Sequence, residues 1–156
     1  MATTNDGPHG HTRSTLRIGG HPVHPMLIPF PIVCFVLTFV FDILYVKGRA
    51  DFSRATNWLL AIGLLFAALA AVAGLVDFFG DKRIQGSTAI KHMLANVLAV
   101  VLELANLLLR YKNPDFIAAT GIYISGVVVL ILLYSGWMGG ELVFRHGIGV
   151  HDSSNL

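Results

Sequence analysis

His21 and His24 lie three residues apart, each followed by proline, at the edge of a long apolar run: His21-Pro22-Val23-His24-Pro25-Met26-Leu27-Ile28-Pro29-Phe30-Pro31. Two more histidines, His92 and His146, and two carboxylates, Asp77 and Glu141, border other apolar runs. Imidazole together with carboxylate suits Zn, Fe, Cu or Mn, and neutral imidazole also serves as an axial ligand of haem. Proline fixes φ and removes a backbone donor, so the segment is expected to resist ordinary helix until about Pro31. Non-helical backbone at membrane depth must lie near water or inside protein. The expectation is a rigid lip that presents two imidazoles at one membrane surface.

The elements that must position these groups are membrane spans. Of 156 residues, 54% are hydrophobic and only 13% charged, about half of the roughly 25% charge content of soluble domains. Four stretches approach the ~20 apolar residues that cross a bilayer: about Met26 to Val46, Trp58 to Phe79, Met93 to Leu109, and Phe116 to Met138, with a Gly-rich tail after the last. The short polar loops between them force neighbouring helices to run antiparallel. The predicted fold is all-α: a transmembrane four-helix up-down bundle with both termini on the same membrane side. It occupies residues 21–150, between a flexible polar N-terminal tail (1–20) and a C-terminal tail (151–156), in which His9, His11 and His151 are expected to face solvent.

Several function classes drop out. A formal net charge of +2 without a basic cluster gives no footprint for nucleic acid. The single cysteine, Cys34, excludes an internal disulfide and is expected to be inert packing. Residues 1–20 are polar, with no apolar core of a signal peptide. No nucleophile elbow, Cys-x-x-Cys-His or His-Glu-x-x-His motif occurs, so neither a hydrolase nor covalent c-type haem is indicated.

Each helix carries a patterned face. On the third, His92, Asn96, Ala99, Glu103, Asn106 and Arg110 step by four and three, which keeps them on one side. Ionisable residues within a span face the bundle interior or a watery cavity. Glu103, roughly 16 Å from His92 at ~1.5 Å per residue, reads as a helix–helix clamp bonded to Asn or Tyr groups. The alternative is a proton relay, with Asn96 and Asn106, or the polar wall of a cofactor pocket. On the second helix, Gly63, Ala67, Ala70, Gly74, Asp77 and Asp81 form a small-residue stripe suited to close packing. The first places Phe35, Thr38, Asp42 and Tyr45 together, and topology sets Asp42 beside Arg110 as a structural salt bridge. The fourth aligns Tyr123, Val127, Leu130, Tyr134, Trp137 and Glu141, with Trp137 at interfacial height. Gly136 and Gly140 are spaced for a close helix contact, and Gly147 and Gly149 permit tight turns.

From about Gly20 to Val150 the chain resembles the bacterial membrane proteins grouped as domain of unknown function 2231. The residues that carry the resemblance are the His21-to-Pro31 segment, Asp42, Gly74 with Asp77, His92 with Asn96, and the Gly136-to-Val150 segment with its Gly-Trp-Met-Gly-Gly-Glu motif. The resemblance implies a four-span membrane protein with no settled activity. Relatives fused to iron–sulfur or cytochrome domains imply an electron-transfer setting.

Up-down threading gathers His21, His24, Asp77, Asp81, His92, Glu141 and His146 at one end of the bundle. The expected function is an integral membrane redox protein of the bacterial cytoplasmic (inner) membrane. It would hold haem b through His24 and His92, or an Fe, Cu or Zn ion through His21, His24, His92, His146, Asp77 and Glu141. Redox partner proteins or a homodimer would accompany the lipid bilayer as partners. The alternatives are a proton or ion pathway along the third helix and a structural subunit of a larger membrane complex. Lys and Arg near the spans are almost evenly divided, with a slight lean to termini in the cytoplasm.

Overall fold

The computed structural model describes residues 14–148; the expected tail histidines His9, His11 and His151 lie outside them. A two-stranded antiparallel hairpin, β1 (Arg17–Ile18) and β2 (His21–Pro22), leads into a short helix α1 (Val23–Leu27). The long helices follow: α2 (Pro29–Val46), α3 (Phe52–Gly80), α4 (Ser87–Lys112) and α5 (Ile122–Phe144). A π-helical turn, Ile117–Gly121, runs directly into α5. Four helical stretches, Val23–Val46, Phe52–Gly80, Ser87–Lys112 and Ile117–Phe144, are long and apolar enough to cross a membrane. α2 packs on α3 and α5, and α4 packs on α5 and α3, so the four close into a ring. This is the all-α up-down bundle expected from the apolar runs and short loops.

The proline-rich segment differs from the expectation. Helix begins at Val23, not near Pro31. Pro22 precedes it and Pro25 lies in its first turn, where a missing N–H has no intrahelical partner to lose. Ile28 N donates to His24 O at 3.2 Å and Ile32 N to Ile28 O at 3.4 Å, so the ladder continues past the prolines. Pro29 cannot donate to Pro25, and that is where α1 gives way to α2. The last helix also differs: α5 runs through Gly136, Gly139 and Gly140 to Phe144, where a Gly-rich tail was expected.

The bundle interior is sparse in bulk and rich in polarity. Phe35, Leu60, Ala67, Ala99 and Val128 form the apolar middle layer. Buried beside them are Thr38, Asp42, Thr56, Glu103, Asn106, Arg110, Ser125 and Ser135. Outside, Leu65, Val72, Leu94, Val101, Leu108 and Leu133 are exposed along the helix shafts, a surface that only lipid can cover without penalty. Trp58, Tyr111, Tyr123 and Trp137 are exposed near helix ends, as an aromatic belt requires. The stripe from Gly63 through Ala67 and Ala70 to Asp77 is the buried face of α3, as its spacing predicted.

Candidate functional site: a histidine pair and a buried ion pair

His24 hangs from α1 against α3. Its Nδ1 lies 2.7 Å from the carbonyl oxygen of Ala70. A carbonyl only accepts, so Nδ1 carries the hydrogen and the lone pair resides on Nε2. Gly74, one turn beyond Ala70, makes room: a Cβ there would stand 2.9 Å from Cε1 and 3.0 Å from Nδ1 of the ring.

His92, in the first turns of α4, is held in the same manner by α5. Its Nδ1 lies 2.9 Å from the carbonyl oxygen of Ser135, which again places the lone pair on Nε2. Asn96 Nδ2 approaches that nitrogen at 3.1 Å and donates to Ser135 Oγ at 2.7 Å. Gly139, one turn past Ser135, faces this ring; a Cβ would lie 3.3 Å from Cε1. Gly136 and Gly140, the expected contact glycines, meet nothing within 4 Å. The two imidazoles stand edge to face, with centroids 6.5 Å apart and planes at 89°.

The other sequence candidates go elsewhere. Asp77 is buried and accepts from Ser14 Oγ at 2.8 Å, Thr15 N at 2.7 Å and Leu16 N at 3.0 Å. It therefore anchors the chain that precedes β1. Residues 14–20, read as the end of a flexible tail, fold back over the end of α3, and Val23 N donates to Leu16 O at 3.1 Å. His21 is exposed on the hairpin. Glu141 pairs with exposed Arg145 at 3.2 Å, and His146 is exposed just beyond α5. Among the described residues, no group of three or more His, Cys, Asp or Glu side chains is placed to hold a metal ion.

The second polar centre lies toward the opposite end. Arg110 donates to both carboxylate oxygens of Asp42, at 2.9 and 3.0 Å, and neither side chain is exposed. This is the salt bridge that topology predicted. Thr56 Oγ1 and Ser125 Oγ donate to the same carboxylate at 2.7 and 2.8 Å. Asn106 Oδ1 accepts from Nε and Nη2 of Arg110, while its Nδ2 donates to Glu103 Oε2 at 2.9 Å. The bonding of Glu103 to an Asn was also expected. The polar stripe of α4 is thus divided: Asn96 belongs to His92, Glu103 and Asn106 belong to Arg110, and Ala99 between them joins the apolar layer.

Ser14, Thr15, Thr56, Ser125 and Ser135 escaped the sequence reading. A signal for two of them existed. Ser125, Val128, Leu132, Ser135 and Gly139 also step by three and four along the last helix. The face chosen instead, with Tyr123, Leu130 and Trp137, is exposed to lipid.

Fold and polar centres define a four-span membrane protein with a paired-imidazole rim and an internal ion pair. Residues 20–152 match the family model described as "Predicted membrane protein (DUF2231)", and the chain belongs to that family. No curated protein and no solved structure matches it.

Proposed function

We propose that this is a redox protein of the bacterial cytoplasmic membrane, and that His24 and His92 hold its electron-carrying group. The observation that carries the reading is the shared tethering of the two rings. Each Nδ1 bonds a main-chain carbonyl of the facing helix, which directs both lone pairs to Nε2. Metal-ligating histidines are oriented by this same second hydrogen bond.

The donor set bears on the candidate groups. Zinc takes four ligands, and among the described residues two imidazoles face one another here. Haem iron already has four nitrogens from its own ring and needs one or two axial imidazoles. His24 and His92 would hold the group through Nε2, and the two rings, which stand edge to face, would have to turn for both in-plane lone pairs to converge on it. What supports a b-type haem over a zinc ion is that haem asks for only one or two imidazoles from the protein. A two-coordinate copper ion is the other group this donor set suits.

When bound, the group supplies one-electron chemistry. The chain's own contribution is orientation: Ala70 and Ser135 fix the tautomers, and Gly74 and Gly139 leave space for the rings. Asn96 competes for Nε2 of His92 and must turn away for that nitrogen to ligate. Electron exchange with redox partner proteins would take place at this rim.

The test is an optical spectrum with elemental analysis of the purified protein, repeated for His24→Ala and His92→Ala. A Soret band with iron, or stoichiometric copper, lost in both variants is expected. A colourless, metal-free wild type overturns the reading.

A further inference from the structure

We propose that Glu103 is a proton-binding site inside the membrane, carrying a proton on Oε1 at neutral pH. The inference does not depend on the histidine pair. Glu103 is fully buried, and Oε1 is aimed into the bundle without a hydrogen-bond partner.

The neighbouring cation cannot neutralise it. Arginine has five N–H donors, and all those of Arg110 are engaged. Nη1 binds Asp42 Oδ1 and Thr56 Oγ1, at 2.9 and 3.0 Å. Nη2 binds Asp42 Oδ2 at 3.0 Å and Asn106 Oδ1 at 2.8 Å. Nε binds Asn106 Oδ1 at 3.1 Å. The charge of Arg110 is matched by Asp42, which also takes the hydroxyl hydrogens of Thr56 and Ser125.

Glu103 receives one neutral donor, Asn106 Nδ2 at 2.9 Å on Oε2. The charged groups of this centre are Asp42 on α2 and Arg110 on α4; α3 and α5 bring the uncharged Thr56 and Ser125. An ionised Glu103 would leave the centre with one negative charge in excess, buried against hydrocarbon, which is strongly unfavourable. A proton on Oε1 removes that charge and leaves Oε2 to accept from Asn106. The Asp42–Arg110 pair sets the occupancy: once Asp42 loses its charge, Arg110 favours the ionised form of Glu103 through Asn106.

Infrared spectroscopy of the full chain in liposomes tests this. At neutral pH the wild type should show a protonated-carboxyl C=O band that shifts in D2O. The band should vanish in Glu103→Gln, which preserves shape, and in Asp42→Asn, through ionisation. Absence of the band in the wild type, or its survival in Glu103→Gln, overturns the proposal. Its survival in Asp42→Asn overturns the control by the ion pair.

Discussion

Arg110 grips both carboxylate oxygens of Asp42 across 68 residues of sequence, and neither side chain is exposed. Removing Arg110 strands the Asp42 charge inside the bundle, so Arg110→Ala should destabilise the protein by about 3–5 kcal/mol. Asp42→Ala should cost less, because Glu103 can then ionise opposite Arg110 through Asn106. The double replacement Asp42→Leu with Arg110→Met should recover most of the Arg110→Ala loss. Denaturation in mixed micelles measures all three; single variants as stable as wild type would contradict the arrangement.

Gly121 lies at the end of the π-helical turn and beneath this pair. An added Cβ would stand 2.9 Å from Arg110 Nη2 and 3.0 Å from Asn106 Oδ1. Its carbonyl accepts from Asn106 Nδ2 at 3.3 Å. Gly121→Ala should lower stability by about 1–3 kcal/mol, the usual cost of overpacking. The same denaturation assay reads it.

At the other rim, two glycines make a controlled comparison. Gly74→Ala drives a methyl group against His24 and should push Nδ1 off Ala70 O, again at about 1–3 kcal/mol. Gly140→Ala meets open space and should stay within about 0.5 kcal/mol of wild type. Equal effects would show that His24 is not seated on Gly74.

Asp77 tethers the chain before β1 through three donors. Hydrogen bonds to a charged group are worth about 1.5–3 kcal/mol, and each 1.4 kcal/mol is tenfold. Asp77→Ala should therefore speed amide exchange at Thr15 and Leu16 by about tenfold or more, while the middle of α3 is unchanged. Unaltered exchange at both amides would mean the hairpin is held by something else.

The spans, the ring of helices and the Asp42–Arg110 pair were legible in the sequence because each follows from periodicity. An apolar run of given length has one way to satisfy its backbone in lipid, and a three-four stripe has one inward side. The rim resisted the same treatment. His24 and His92 were picked out, but Asp77, Glu141, His21 and His146 were grouped with them by height alone. Height does not say which donor arrives first. Asp77 is taken by the main chain of Thr15 and Leu16, whose amides carry no sequence signature. The start of the first helix was misplaced because proline was weighed as a breaker, although in a first turn it breaks nothing. Ser125 and Ser135 were overlooked because the larger Tyr and Trp residues drew attention to another face of the same helix.

The ion pair joins the first membrane helix to the third, and a ribosome makes them in that order. Until Arg110 emerges, the nascent chain holds Asp42 with no counter-ion inside the bilayer, where such a charge is poorly tolerated. The first two helices are therefore a provisional hairpin during synthesis. Arrival of the third helix brings Arg110 to Asp42 and ties the first helix to it.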